Sequence, residues 1–274
     1  MDFGHIETLL IDGDGVLWLG DQPMPGLDRF FQIVRSRGMR WALLTNNNTR
    51  TVGNYLAKLS GFGIEVDAGQ IFSSSTATAD YLKKRYGPGA PLHAVGTSGM
   101  IETLHEAGFL VSSGETMPDH EVIAVVAGMD RGLTFDKVKV ATRLILGGAE
   151  FVATNTDGTF PEPDGFSPGT GMVIGALKGT TGVEPTVIGK PEAAIYEAAL
   201  DALSADKAST AMIGDRLETD ILGAQRLGML TIGVLSGVTT REQMAESAIQ
   251  PDIVYESISG LADDLEKNLS LQTS

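Results

Sequence analysis

Two aspartates flank a glycine in Asp12-Gly13-Asp14-Gly15-Val16-Leu17, directly after the apolar run Thr8-Leu9-Leu10-Ile11. At that spacing one carboxylate can hold a metal or attack an electrophile while the other transfers a proton. A turn with Asp14 in solvent accounts for the same residues. An EF-hand loop does not, because Val16 stands where a polar ligand belongs, Leu17 where glycine belongs and Pro23 where the bidentate glutamate belongs. Thr45-Asn46-Asn47 offers a hydroxyl with amide and backbone N–H groups, a set that binds phosphate and equally caps a helix. Lys190, held between Gly189 and Pro191, is a counter-charge for a phosphate or an aspartate, although most lysines are solvated surface charges. Asp215 and Asp220 can face one hard cation together, or serve as a turn residue and a helix-dipole charge.

Each group follows a short apolar run that reads as a strand. Strands are expected at 6–11, 40–44, 71–73, 186–188, 208–213 and 230–235, with helices at 26–37, 52–59, 77–86, 193–203 and 220–227 between them. Pro191 reads as the first helical residue after Lys190. Thr239 with Glu242 signals a capping box for one more helix, and 253–256 a final edge strand. Strand and helix in alternation imply right-handed crossovers and a doubly wound, Rossmann-like parallel sheet, whose ligands bind beyond the carboxyl ends of the strands. Four chemically apt groups ending four such strands favour a shared crevice over four unrelated turns.

The middle of the chain has its own strands at 92–95, 122–127 and 151–153, and helices at 100–107, 135–146 and 171–178. Gly- and Pro-rich stretches at 86–91 and 179–185 serve as linkers. The fold class is therefore α/β: a doubly wound parallel-sheet core, residues 1–85 and 186–274, with a smaller α/β cap domain, 86–185, inserted.

Composition narrows the function. The 274 residues are 42% hydrophobic and 20% charged, which suits a globular chain and argues against disorder and coiled coil. Twenty basic against 35 acidic residues give a net charge of −15, the wrong sign for a nucleic-acid partner. An acidic chain that handles phosphate also needs a metal or a placed lysine to overcome repulsion. The absence of cysteine excludes disulfides, thiolate metal sites and a cysteine nucleophile. The four histidines lack ligand spacing for zinc. No apolar run reaches the ~20 residues of a membrane span, and the first ten residues hold Asp2 and Glu7 but no Lys or Arg, unlike a signal peptide. A cytoplasmic protein without nucleic-acid or membrane partners is expected.

In combination and order these segments resemble the haloacid dehalogenase superfamily: Asp12 to Leu17 as its first motif, Thr45-Asn46-Asn47 its second, Lys190 its third, and Gly214-Asp215 with Asp220 its fourth. The insertion is similar to the large α/β cap of the branch containing nitrophenyl, phosphoglycolate and pyridoxal phosphatases, as are Val152 to Asp157 and Pro168 to Gly171. Phe160 stands where pyridoxal phosphatases of the family carry a cap histidine.

The resemblance implies a phosphatase of small phosphorylated metabolites in which Asp12 attacks phosphorus and Asp14 exchanges the proton. Mg²⁺ would be held by Asp12, the Asp14 carbonyl, Asp215 and, in or near its shell, Asp220. Thr45, Asn46 and Asn47 would bind the phosphoryl oxygens and Lys190 would neutralise charge. Asp14 separates phosphate chemistry from dehalogenation, since a halide leaving group needs no proton. Asn155 and Asp157 read either as contacts to the leaving group or as a simple turn. A phosphotransferase or mutase acting on a sugar phosphate, or a metal- and phosphate-binding sensor, are the alternatives. Large caps also offer an apolar face for a homodimer.

Overall fold

The computed structural model describes residues 5–162 and 165–272, with side chains for 5–159 and 165–267. The chain forms two compact units. One comprises Met1–Thr45, Tyr55–Phe72 and Tyr196–Ser274, the other Asn46–Asn54 and Ser73–Ile195.

The first unit is built on a six-stranded sheet in the order Ile253–Tyr255, Leu230–Val234, Thr210–Gly214, Thr8–Ile11, Arg40–Thr45, Ile71–Ser73. Thr8–Ile11 lies in its middle, pairing in parallel with Thr210 to Ile213 on one side and Arg40 to Leu43 on the other. All four of its residues are buried, as the continuous apolar run requires of a strand covered on both faces. The helix Leu27–Ser36 buries Leu27, Phe30, Phe31, Ile33 and Val34 and packs along Ile258–Gln272. Arg29 joins these helices through Asp263 and Glu266, and Arg37 donates to the Leu265 carbonyl at 3.0 Å. This last helix was not expected from the sequence.

Several local expectations are corrected. The strand expected at 186–188 is Thr186–Val187, and it belongs to the sheet of the second unit, pairing with Val152 and Ala153. The place beside Arg40–Thr45 in the first sheet is taken by Ile71–Ser73. Pro191 precedes the helix Ala193–Leu203 by two residues and follows a cis peptide bond. The turn after Asp215 is a π-helical segment, Leu217–Ile221, leading into Leu222–Arg226. The capping box lies one residue later than expected: Thr240 Oγ1 accepts from Gln243 N at 3.2 Å and Thr240 N donates to Gln243 Oε1 at 2.9 Å.

The second unit has a parallel five-stranded sheet, ordered Thr186–Val187, Glu150–Ala153, Ala124–Ala127, Pro91–Val95, Leu110–Ser113. Val125, Ala141, Ile145, Phe151, Val173 and Leu177 form the core between this sheet and the helices Phe135–Leu146 and Thr170–Thr181. Leu110–Ser113 and the hairpin of Thr159–Glu162 with Gly165–Pro168 were not expected. The side chain of Phe160 lies outside the described residues. Among those described, no helix is long and apolar enough to cross a membrane.

Candidate active site

In the first unit the carboxyl ends of two neighbouring strands bring three acids together. Asp12 follows Thr8–Ile11 and extends its pairing, Asp12 N donating to Ile213 O at 2.9 Å. Asp215 follows Thr210–Gly214, and the π-helical turn swings Asp220 back over Gly214. Carboxylate oxygens of Asp12, Asp215 and Asp220 all lie within 4.8 Å of one another, and all three residues are buried. At an effective dielectric of about 20, two such charges repel by about 3.5 kcal/mol at that separation. A set of hard, anionic oxygens compressed in this way fits a divalent cation. Among the described residues no other group of acids or histidines meets the same spacing.

The backbone fixes the carboxylates. Asp220 Oδ2 accepts from Asp215 N at 3.2 Å and Arg216 N at 3.0 Å, and Asp215 Oδ2 accepts from Val238 N at 2.6 Å. Three glycines make room for them. A Cβ on Gly214 would lie 2.2 Å from Asp220 Cβ, and one on Gly15 or Gly237 would lie 2.6 or 1.9 Å from Asp215 Oδ2. Gly15, at φ +88°, is also in the left-handed region. Beneath the cluster the buried Tyr196 hydroxyl donates to Thr219 O at 2.7 Å and is close to Asp220 O, 3.2 Å. Burial, reinforced by the Asp220 and Asp12 charges, holds this phenol well above its ordinary pKa, so it stays a donor. Asp14 is half-buried, with Oδ1 accepting from Trp18 Nε1 at 2.9 Å. Thr45 ends Arg40–Thr45 and is buried.

In the second unit Asn46 and Lys190 are locked together. Asn46 Nδ2 donates to Lys190 O at 2.9 Å, and Lys190 N donates to Asn46 Oδ1 at 2.8 Å. Gly189 admits this contact, because a Cβ there would lie 2.5 Å from both Asn46 Oδ1 and Thr154 O. Lys190 is 2% exposed, unlike a solvated surface lysine. Asp157 accepts from Asn46 Nδ2 at 3.2 Å, and Asn155 Nδ2 donates to Asn46 O at 2.7 Å. Asn155 and Asp157 thus support the Asn46 loop. Asn47 Oδ1 accepts from the backbone N–H of Thr49 at 3.0 Å and from its hydroxyl at 2.6 Å, closing a tight turn.

Sequence reasoning passed over Asn48, Trp18 and Tyr196. Asn48 Nδ2 donates to Thr154 Oγ1 at 2.8 Å and Thr170 Oγ1 at 3.0 Å, while its Oδ1 accepts from Met129 N at 3.2 Å. It fastens the second-motif loop to two strand ends and a helix start. Its position within Asn46-Asn47-Asn48 was the available signal; Trp18 and Tyr196 had none beyond being aromatic.

A doubly wound α/β unit with a buried acid cluster at the carboxyl edge of its central strands has the oxygen ligands to hold a divalent cation where such sheets bind their ligands. Residues 9–110 match the family model for haloacid dehalogenase-like hydrolases, and residues 187–261 a second model described as HAD-hydrolase-like. An acid sugar phosphatase of Staphylococcus aureus is 35% identical over 95% of this chain and 98% of its own length. The structure of a p-nitrophenyl phosphatase from Archaeoglobus fulgidus superposes with a TM-score of 0.88 at 34% identity, covering 94% of this chain and 99% of that one. A 4-nitrophenylphosphatase from Thermotoga maritima gives 0.88 at 29% identity, with 95% and 98% coverage. The chain belongs to the haloacid dehalogenase-like hydrolase family. Within it, this is a phosphoric monoester hydrolase.

Proposed function

We propose that the enzyme hydrolyses phosphomonoesters of small metabolites, sugar phosphates among them, through an aspartyl-phosphate and with Mg²⁺. The observation that carries this reading is the buried trio Asp12, Asp215 and Asp220 within 4.8 Å. Residues 86–185 act as the cap that keeps water from the intermediate in the first step.

In that step an Asp12 carboxylate oxygen attacks phosphorus in line, the bond to the ester oxygen breaks, and Asp14 gives that oxygen its proton. Asp14 then takes a proton from water as the water oxygen attacks the same phosphorus. The bond to Asp12 breaks, releasing phosphate and restoring both aspartates. Mg²⁺, held by Asp12, the Asp14 carbonyl and Asp215, with Asp220 in or near its shell, would supply positive charge toward the phosphoryl oxygens. Thr45 contributes its hydroxyl to those oxygens. Asn46 and Asn47 contribute backbone N–H groups, a role consistent with side-chain oxygens already engaged by Lys190 N and Thr49. Lys190 supplies the remaining counter-charge. The relatives named as acid sugar and nitrophenyl phosphatases support small phosphate esters as the substrate class.

The test is phosphate release from p-nitrophenyl phosphate with Mg²⁺, compared with Asp12→Asn and with EDTA. Activity lost in both controls is expected. A folded native enzyme inactive on this ester and on a panel of sugar phosphates would overturn hydrolysis in favour of transfer to another acceptor or of sensing.

A further inference from the structure

The half-buried proton-transfer residue of the first motif is tied to an aromatic side chain four positions later. Trp18 Nε1 donates to Asp14 Oδ1 at 2.9 Å. The backbone closes the same loop: Trp18 N donates to Gly13 O at 3.2 Å and Gly15 N to Trp18 O at 2.7 Å. The indole itself has little freedom. It is 1% exposed, stacks on Tyr55 with centroids 6.2 Å apart and tilts against Phe62 at 6.4 Å. Lys58 Nζ sits 4.6 Å from the ring centroid, a cation–π distance, and is anchored on the Gly20 carbonyl at 2.5 Å. The ring also lies so close to Gly13 that a Cβ there would be 2.4 Å from Trp18 Cζ2. Gly13 is thus a seat for the indole.

An indole N–H can donate and cannot accept. An oxygen facing it at hydrogen-bond distance therefore cannot carry a proton directed at the same nitrogen. We propose that Trp18 is the positioning residue for proton transfer: its N–H holds Asp14 Oδ1, so that Oδ2 carries the proton and faces the leaving oxygen. This rests on the reading of Asp14 as proton donor. In the first step the O–H bond at Oδ2 breaks and the proton passes to the ester oxygen as its bond to phosphorus breaks. Asp14 is left as a carboxylate whose Oδ1 still accepts from the indole.

The inference separates from simple packing through the leaving group. Nitrophenolate leaves readily without a proton, whereas phenolate needs one, so misplacement of the Asp14 proton slows phenyl phosphate more than p-nitrophenyl phosphate. The parameter to compare is kcat/KM, which reports the steps through transfer to Asp12. The informative variant replaces Trp18 site-specifically with 3-benzothienylalanine, which keeps the ring shape and puts sulfur in place of N–H. Trp18→Phe is made alongside, with thermal unfolding of both. The expected result is a loss of about tenfold or more in kcat/KM for phenyl phosphate, with at most about a third of that loss for p-nitrophenyl phosphate and an unchanged melting temperature for the isostere. Equal losses on both esters, or none, would overturn the proposal. Asp14→Asn isolates the underlying reading: if that variant still hydrolyses phenyl phosphate at the native rate, Asp14 is not the donor. If it is inactive while the Trp18 isostere shows no discrimination, only the positioning role fails.

Discussion

Gly237→Ala offers a direct test of how the acid cluster is held. A Cβ at this position would lie 1.9 Å from Asp215 Oδ2, 2.4 Å from its Cγ and 2.6 Å from its Cβ. Rotating the carboxylate relieves only the first contact, so the Asp215 side chain and the 236–238 loop must part by about 1.0 Å to bring the 2.4 Å approach to Cγ out to an ordinary contact of about 3.4 Å. That movement breaks the 2.6 Å bond from Val238 N to Asp215 Oδ2, a charge-assisted bond worth about 1.5–3 kcal/mol. Coordination distances tolerate only about 0.2 Å, so a displacement several times larger is expected to weaken cation binding by about 10–100-fold. The assay is a Mg²⁺ titration of p-nitrophenyl phosphate hydrolysis, paired with the rise in melting temperature that Mg²⁺ produces. Gly175→Ala is the control: it lies exposed inside the helix Thr170–Thr181 with open space at its Cβ, and should stabilise by about 0.5–1 kcal/mol without altering the titration. A folded Gly237→Ala enzyme with the native half-saturating Mg²⁺ would refute the argument that Asp215 is held by this loop for a cation.

Two further expectations concern stability. His93 is fully buried on Pro91–Val95, its Nδ1 3.0 Å from Ser112 Oγ, and burial lowers its pKa to about 4. The unfolded state therefore takes up the proton first as pH falls from 6.5 toward 4, and stability falls across that window by about 3 kcal/mol in all; His93→Leu should flatten this part of the pH dependence measured by urea unfolding, and an unchanged slope would exclude it. Asn48→Ala leaves the buried Met129 N–H without its 3.2 Å acceptor and removes the donor shared by Thr154 and Thr170, so a loss of about 2–4 kcal/mol is expected in the same assay; a loss below about 1 kcal/mol would show that Asn48 is not the fastening point.

Much of this architecture was legible because the central strands of the first sheet are parallel and covered on both faces. Apolar runs such as Thr8 to Ile11 stand out when both strand faces are buried, and each ends where its acid, hydroxyl or amide begins. Asp12, Asp215 and Asp220 converge because adjacent parallel strands end in register, so strand order alone brings sequence-distant acids together. Thr186–Val187 was assigned to the wrong sheet because two residues carry no signal of which edge they will join. Leu110–Ser113 is a partly exposed edge strand with no burial alternation to reveal it, its pattern running exposed, intermediate, intermediate, exposed. The hydrogen bonds of Asn48 and Trp18 depend on the meeting of distant segments or on a tightly closed loop. Residue type alone does not encode either.

The mutual bonds between Asn46 and Lys190 have a consequence for how the chain is organised as a heritable object. Roughly 140 residues lie between these two positions, and closing a loop of that length from a flexible chain costs about 4 kcal/mol in entropy. In the folded protein the two ends of that long excursion meet at one residue pair, held by bonds of 2.9 and 2.8 Å. Everything between them therefore returns to its point of departure. Within that excursion Tyr55–Phe72 belongs to the first unit and leads into the edge strand Ile71–Ser73 of its sheet, so it is the part after Ser73 that can lengthen, shorten or be exchanged without changing where the strands of the first sheet begin and end. The stapled pair makes the insertion a cassette, open to replacement by recombination while the strands bearing Asp12 and Asp215 keep their register.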